Sequence, residues 1–278
     1  MLSPHFEILG SDLPGPVVVE IPHAGLRLEA LVARGLALPP NALEAGAPWA
    51  DSDVGAAAVC EGLENRGVRR IVATASRYVI DLHTEPRLPT PYEDKLPPGL
   101  GDTRCVSAAG VWWWERRRSR EEVEGIVAEV FEPYHAAICA ELAASRARHG
   151  RAALLSVHTY PDHRHADAKD IVLGTRNGQC APPSLRDALA DTARARGLSV
   201  GLEAPFRGGY SLQRHAAPDV AAIQIELSRS LLCLPGDRRR PELDPRGVAR
   251  MAEVLGALVD TLTAELSASP STPSPPAG

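Results

Sequence analysis

Three histidines follow short apolar runs that have the composition of β-strands. His23 comes after PVVVEIP, His83 after RYVIDL and His158 after AALLSV. In open α/β sheets, ligands bind beyond the carboxyl ends of the strands, and imidazole is the most common protein ligand for zinc. These positions indicate a metal site. A histidine at a single strand end is also typical of a hydrogen-bonded loop residue, so spacing alone leaves both interpretations open.

A carboxylate is the expected companion of such histidines, because a catalytic zinc ion usually has three protein ligands and one is often acidic. Asp51 and Asp53 lie just before a helical pattern, and either is placed to reach a metal. The alternative role is helix capping, since aspartate is favoured at the residue that begins a helix. The residues by themselves do not choose between the two roles.

Glu226 is a candidate general base. In the run IQIELS, strand alternation places Ile223, Ile225 and Leu227 on one face and Gln224 with Glu226 on the other. If that second face lines a cleft, burial raises the pKa of the carboxyl towards neutrality, which suits proton transfer. On an edge strand the same side chain would face solvent.

Three arginines are candidates for binding an anion. Arg207 stands beside two glycines in PFRGGYS, where the backbone can approach a ligand closely and the guanidinium can bind a carboxylate with two hydrogen bonds. Arg77 and Arg214 are similar candidates. The alternative for Arg207 is a surface arginine on a tight turn.

The elements that must position these residues alternate along the chain. Apolar runs predict strands over residues 16–21, 70–82 (with a break near 76–77), 152–157, 170–174, 198–202 and 221–227. Helical patterns cover residues 53–66, 119–149, 183–197 and 243–266, with Ser119 as a cap and Pro133 as a kink. Residues 86–110 are rich in proline and glycine and predict a long covering loop.

This alternation, without a break in composition, predicts a single α/β domain over residues 1–266 with a mostly parallel or mixed central sheet flanked by helices. The segment 267–278, SASPSTPSPPAG, has too few apolar residues to join a core, and we expect it to be disordered.

Composition and charge exclude several classes of protein. The formal net charge is −5 and the basic residues form no long stripe, which argues against nucleic acid as the main partner. No apolar run approaches the roughly 18 residues of a membrane span, and no secretory signal is evident, so we expect a cytoplasmic protein. Five cysteines without a CxxC motif indicate reduced thiols. Nucleotide-binding motifs such as GxGxxG after the first strand are absent.

Taken together, the motifs resemble the N-formylglutamate amidohydrolase family. The matching stretches occur in the family's order over roughly residues 16–235 and are Ile21-Pro-His-Ala-Gly, Asp51-Ser-Asp-Val-Gly, Ser76-Arg-Tyr-Val-Ile-Asp-Leu, Pro133-Tyr-His, Val157-His-Thr, Val172-Leu-Gly-Thr-Arg-Asn-Gly, Ala204-Pro-Phe-Arg-Gly-Gly-Tyr and Gln224-Ile-Glu-Leu-Ser. The resemblance implies a zinc carboxypeptidase-like (phosphorylase/hydrolase-like) fold. It also implies a metal-dependent hydrolase that cleaves the amide of an N-acyl amino acid such as formylglutamate.

Carried over by position, the resemblance implies His23, His158 and one acid of the Asp51/Asp53 pair as ligands of a zinc ion. Asp53 is favoured, because Asp-Val-Gly best matches the family pattern. It implies Glu226 as the general base, while zinc would lower the pKa of a bound water and polarise the scissile carbonyl.

The resemblance also implies roles for residues around this centre. Arg77 would stabilise the oxyanion and Arg207 would orient an anionic end of the substrate. His135, in the Pro-Tyr-His segment, would support the site by hydrogen bonding rather than bind the metal.

The sequence departs from the family at two places near the substrate. His83 and Thr84 stand where the family usually has Asn-Arg, a pair that would help to bind the substrate carboxylate. Glu203 stands where the family tends to have asparagine. We therefore expect a small anionic N-acyl amino acid or related amide as substrate. The alternatives are a peptidase of small peptides or cell-wall amides and a non-catalytic binding protein on the same scaffold.

Overall fold

The computed structural model describes residues 5–32, 46, 49–87, 104–107, 110–113 and 118–268. Its nine strands within these ranges are β1 Phe6–Gly10, β2 Val17–Ile21, β3 Arg69–Ala73, β4 Arg104–Ser107, β5 Gly110–Trp113, β6 Ala152–Tyr160, β7 Ile171–Gly174, β8 Val200–Leu202 and β9 Val220–Ser228. Seven of them form one mixed sheet in the order β1-β3-β2-β6-β9-β7-β8, and β4 pairs with β5 separately. The predicted fold class is confirmed: it is an α/β sheet flanked by helices.

The helices of the described residues cover both faces of the sheet. They are α1 Glu29–Val32, α2 Ala56–Val59, α3 Arg120–Ile126, α4 Glu132–His149, α5 Pro183–Arg194, α6 Tyr210–His215 and α7 Pro245–Ser267. Short 3-10 turns lie at Trp49–Asp51, Leu63–Arg66, Asp162–Arg164 and Arg229–Leu231, and a π turn at Val127–Phe131 joins α3 to α4. No helix of the described chain is both long and apolar enough to cross a membrane.

Two apolar clusters hold the helices on the sheet. Residues such as Val19, Leu155 and Ile225 pack with α2, α5 and α7 on one face. Val18 and Leu154, whose side chains point the other way, pack with α3, α4 and α6. The central strands β2, β6 and β9 are buried along their whole length, so their polar side chains also lie inside the protein.

The central strands run in parallel. β2 pairs with both β3 and β6, and β6 pairs with β9 over all nine residues, from Ala152 opposite Val220 to Tyr160 opposite Ser228. Antiparallel pairing is confined to β1 with β3 and to β7 with β9 in this sheet. The carboxyl ends of β2, β6 and β9 therefore meet at one edge.

Some predicted boundaries are wrong, for physical reasons. The helix expected over 53–66 is divided into α2 and a 3-10 turn, because Gly62 adopts a left-handed conformation with φ of 83°. The strand expected over 152–157 continues to Tyr160, so His158 lies inside β6 rather than beyond it. β1 was not predicted. Part of the segment 86–110, expected to be a loop, forms β4 and the first residue of β5, and residues 88–103 and 108–109 of it lie outside the described residues.

The long helix expected over 119–149 consists of three consecutive segments: α3, the π turn and α4. Ser119 begins α3 with a capping box, in which its hydroxyl accepts the Glu122 N–H and the Glu122 carboxylate accepts the Ser119 N–H. The π turn comes immediately before Pro133, whose ring would otherwise crowd the carbonyl of the preceding turn. At the other end of the chain, α7 includes Ser267, and residues 269–278 of the expected disordered tail lie outside the described residues.

We predict that shortening a side chain at the centre of the sheet costs much more than shortening an exposed one. Leu155→Ala, at a fully buried position of β6, should lower the free energy of unfolding by about 2–5 kcal/mol. Leu13→Ala, at a side chain that is 68% exposed, should change it by less than about 0.5 kcal/mol. Urea denaturation measures both, and equal losses would contradict the assignment of the core.

Candidate active site

The candidate site lies at the edge of the sheet where β2, β6 and β9 end. His158 on β6 lies opposite Glu226 on β9 in the parallel register. His23 follows the end of β2 by two residues, and its carbonyl accepts the N–H of Asp53, which ties the Asp53 segment to this edge. The sheet thus gathers residues that are more than 200 positions apart in the sequence.

His23, Asp53 and His158 form a compact buried group, here called the His–Asp–His cluster. One Asp53 carboxylate oxygen, Oδ2, lies 2.8 Å from His158 Nδ1 and 3.4 Å from His23 Nδ1. The two imidazole rings are 4.9 Å apart. One donor atom from each residue lies within 4.8 Å of the other two. The predicted ligands are therefore brought together, with Asp53 as the acid.

Asp51, the alternative acid, points elsewhere. Its carboxylate accepts a short hydrogen bond from the Tyr78 hydroxyl. The two aspartates of the Asp-Ser-Asp pattern therefore have different partners: Asp53 contacts the histidines and Asp51 contacts Tyr78. This geometry supports the preference for Asp53 over Asp51.

Each histidine of the cluster is held by its other ring nitrogen. His23 Nε2 lies 2.9 Å from Asp81 Oδ1, and His158 Nε2 lies 2.9 Å from Ser156 Oγ. Arg77 donates to the second Asp81 oxygen at 2.7 Å. Partners of this kind fix the ring orientation and the tautomer of histidines that bind metals.

Asp81 was not singled out from the sequence. Its signal is its spacing from Arg77, four residues earlier, and its place two residues before His83.

The cluster has the donor chemistry of a divalent-metal site. Two imidazole nitrogens and one carboxylate oxygen are the ligand types that zinc takes in catalytic sites. The electrostatics of the cluster also suit a cation. Burial favours the neutral form of His23, but the negative charges of Asp81 and Asp53 have the larger effect and raise the pKa of His23 to about 9. The same negative potential attracts a metal cation. The residues therefore fit such an ion.

Asp53 and Glu226 are both buried carboxyl groups, but their surroundings differ. Burial opposes the charge of Asp53, and the hydrogen bonds from His158 and His23 overcome it, so the pKa of Asp53 is lowered. Burial and the negative charge of Asp53 raise the pKa of Glu226 to about 8. A carboxyl group with a pKa near neutrality is suited to accepting and returning a proton.

The predicted alternation of β9 is confirmed. Ile223, Ile225 and Leu227 lie in the apolar cluster of one face, while Gln224 and Glu226 lie on the other. The Gln224 side-chain amide donates to Glu226 Oε1 at 2.7 Å. Glu226 is only 6% exposed, so it does not face solvent on an edge strand.

His83 joins the same group of rings. It is buried, its ring lies 4.5 Å from that of His158, and its Nε2 lies 2.7 Å from Gln224 Oε1. Thr84, one residue further, is exposed, and its N–H donates to the Asp81 carbonyl. The two residues that depart from the family pattern therefore occupy different surroundings.

The predicted arginines are not equivalent. Arg77 pairs with Asp81 beside the cluster. Arg207 is exposed on the loop after β8, and its carbonyl accepts the N–H of Arg176. Arg214 pairs with Glu132 on α4, and the structure does not bring it to the cluster.

Glu203 is occupied by a turn of the backbone. It has a left-handed φ of 60°, and its carboxylate accepts the N–H groups of Thr175 and Asn177 as well as a hydrogen bond from Arg186. These contacts lower the pKa of Glu203 against the effect of burial. The acid that stands in place of the family's asparagine thus stabilises the Thr175 turn.

His135 supports the segment that carries His83. It is fully buried in α4, and its Nε2 lies 3.1 Å from the carbonyl of Leu82. Its Nδ1 lies 2.8 Å from His215 Nε2. Burial and the neighbouring His215 lower the pKa of His135 to about 3, so the neutral ring donates to Leu82 and accepts from His215. This agrees with the expected supporting role.

A buried His–Asp–His cluster beside a buried glutamate, at the carboxyl edge of an α/β sheet, is an arrangement typical of metal-assisted hydrolases. Comparison with known proteins narrows this class. The sequence model of the N-formylglutamate amidohydrolase family matches residues 15–233. The chain belongs to that family, as the ordered motifs indicated.

Named relatives agree with this assignment. The chain is 32% identical over 237 residues to an N-formylglutamate deformylase of Pseudomonas aeruginosa, covering 81% of this chain and 84% of the relative. It is 30% identical to one of Pseudomonas putida, covering 77% and 80%. A solved N-formylglutamate amidohydrolase from Ralstonia eutropha JMP134 has the same fold, with a TM-score of 0.73, 23% identity and coverage of 94% and 98%.

We predict that Glu203 contributes to stability through the turn that it holds. Glu203→Ala leaves the Thr175 and Asn177 N–H groups without their acceptor and should lower the free energy of unfolding by about 1–3 kcal/mol. Glu253→Ala, at an exposed position of α7, is the control and should change it by less than about 0.5 kcal/mol. Chemical denaturation compares the two, and an unchanged Glu203→Ala variant would be inconsistent with this role.

Proposed function

We propose that this protein hydrolyses the amide bond of N-formylglutamate or a closely related anionic N-acyl amino acid, with a divalent metal ion, zinc, held at the His–Asp–His cluster. The observation that carries the proposal is the position of the His–Asp–His cluster beside Glu226 in a member of the N-formylglutamate amidohydrolase family. The relatives' names supply the substrate class, since both curated relatives are N-formylglutamate deformylases.

The metal would be held by His23, Asp53 and His158. A bound divalent ion supplies Lewis acidity, which lowers the pKa of a water molecule and polarises a carbonyl group. Asp81 and Ser156 orient the two imidazoles by hydrogen bonds to their remaining nitrogens. The three ligands come from three different segments, so the site exists only in the folded chain.

Glu226 is the proposed general base and acid. Its carboxylate accepts the proton of the attacking water and then delivers it to the leaving nitrogen, so that formate or another acid and a free amine result. Two features support this role: the position opposite His158 and the pKa near 8, which allows the same group to take and return a proton.

Arg77 and Arg207 are the proposed anion-binding residues. Arg77 donates to one oxygen of Asp81, whose other oxygen contacts His23, so its positive charge lies beside the cluster, and we assign it to stabilising negative charge that develops on the substrate carbonyl. We assign Arg207 to the anionic end of the substrate, with Thr84 as a further contact, because Arg207 is exposed on the loop whose Gly209 packs against His83. Arg214 pairs with Glu132 on α4, whereas Arg77 pairs with Asp81 beside the cluster, so we assign no substrate contact to Arg214.

We predict that Glu226→Gln abolishes most of the turnover without loss of the metal. With N-formylglutamate as substrate, kcat should fall by about 10²–10⁴-fold, because the amide cannot accept the proton. Formate release measures the rate, and metal analysis of the same preparation checks the site. Retention of full activity by Glu226→Gln would refute the assignment of the base.

The same assay with N-formylaspartate, N-acetylglutamate, N-formylalanine and dipeptides separates the proposed activity from the alternatives. Turnover of dipeptides alone would favour the peptidase, whereas bound metal without any turnover would favour the binding protein.

We predict that the two aspartates of the DSD motif respond differently. Asp53→Asn should weaken zinc binding by at least about 10–100-fold, because the carboxylate shared by His23 and His158 is lost. Asp51→Asn, which removes a contact to Tyr78, should keep the wild-type zinc content. Titration of the chelator-treated protein with zinc measures both affinities. Equal zinc affinity in the two variants, or none in the wild type, would overturn the proposed metal site.

A further inference from the structure

A fully buried carboxylate lies behind the site and has no role in the reaction described above. Glu20, on β2, accepts the Ser211 hydroxyl at 2.6 Å with one oxygen and the Tyr134 hydroxyl at 3.2 Å with the other. Its Oε1 also lies 3.9 Å from His83 Nδ1. The two hydroxyl groups compensate the burial of this carboxylate, and at 3.9 Å the Nδ1 atom of His83 is not a third donor, so the partners of His83 must be sought at its Nε2 atom.

The hydrogen bond that Glu226 accepts from Gln224 determines which nitrogen of His83 carries the proton. The Gln224 amide group donates to Glu226, so its oxygen, Oε1, faces His83. Because Oε1 can only accept, His83 Nε2 must be the donor across the 2.7 Å that separates them. The Gly209 N–H lies 2.9 Å from Nε2 and 3.1 Å from Oε1, and a protonated Nε2 leaves Oε1 as its acceptor.

The His83 ring is enclosed rather than open to a ligand. A Cβ atom at Gly209 would lie 2.2 Å from the Cδ2 atom of His83, so this backbone packs directly on the imidazole. The His158 ring is its other neighbour, at 4.5 Å, and the residue is 9% exposed. The His83 side chain therefore packs against the Gly209 backbone and the His158 ring.

We propose that His83 and Gln224 form a positioning chain that holds the carboxylate of Glu226 in its working orientation. His83 Nε2 donates to the oxygen of the Gln224 amide, and the NH2 group of that amide donates to Glu226. His83 and Gln224 are positioning residues: they act through Glu226 and do not touch the substrate. This inference rests on the proposed role of Glu226 and extends it.

Kinetics of a double-mutant cycle test the chain. Gln224→Leu and His83→Leu should each lower kcat for N-formylglutamate by about 10–100-fold with KM changed less than twofold. The double variant should lose no more than the worse single variant, because both substitutions break the same chain. His83→Gln, which keeps a side-chain N–H donor, should recover most of the loss.

The outcomes against the chain are equally specific. A raised KM with unchanged kcat in His83→Leu would show that His83 binds substrate. Multiplied losses in the double variant would show that the two residues act independently. Gln213→Leu, the same chemical change at an exposed position of α6, is the control and should keep wild-type kinetics.

A measurement that needs no turnover separates failure of this inference from failure of the proposed function. In ¹⁵N-labelled wild-type protein, His83 should be the neutral tautomer with its proton on Nε2 and should exchange that proton slowly. Gln224→Leu should abolish the slow exchange, whereas Gln213→Leu should not. A proton on Nδ1 alone, or an unchanged signal in Gln224→Leu, overturns the chain. Absence of formate release by the wild type would instead overturn the proposed function.

Discussion

The parallel register of β6 and β9 is the constraint on which the site depends. Nine consecutive residue pairs place His158 opposite Glu226 and carry both strands to the same edge as the end of β2. Because side chains alternate along a strand, a slip of one residue would turn Glu226 into the apolar face and bring Leu227 to the site. The buried packing of Ile223, Ile225 and Leu227 opposes that slip, so the apolar core and the polar site specify the same register.

Around that edge, buried charge is balanced within a small space. Asp53 lies between two imidazoles, and Asp81 lies between His23 and Arg77. The hydrogen bonds from His158 and His23 offset the cost of burying the Asp53 charge. The same bonds hold the two imidazoles against the carboxylate, so that the three residues form one set of potential metal ligands. Glu226, in contrast, receives one amide hydrogen bond and the repulsion of Asp53, which explains why its pKa rises. The two buried carboxyl groups therefore have different pKa values, because their neighbours differ.

Much of the fold could be predicted because its strands are strongly apolar and its helices have clear ends. β9 and α7 differ from their predicted bounds by a few residues at most, and Ser119 is a cap by side-chain chemistry that is entirely local. One error has a local cause: Gly62, with a left-handed φ of 83°, separates α2 from the 3-10 turn that follows. Another has a tertiary cause: the extra residues of β6, including His158, are paired by residues of β9 that lie 68 positions further along the chain.

The sequence by itself determined which segments carry the site: His23 after a strand, the Asp51/Asp53 pair near a helix start, and Gln224 with Glu226 on one face of β9. Period-two alternation and the direction of parallel strands are sufficient for that, whereas the preference for Asp53 came from the resemblance to the family. Only the tertiary structure decided their partners. Asp81 on His23, Gln224 between His83 and Glu226, and the pairing that occupies Arg214 are contacts between distant segments. Hydrogen bonds have a range of about 3 Å, so no spacing along the chain reveals which of these groups the fold brings within it.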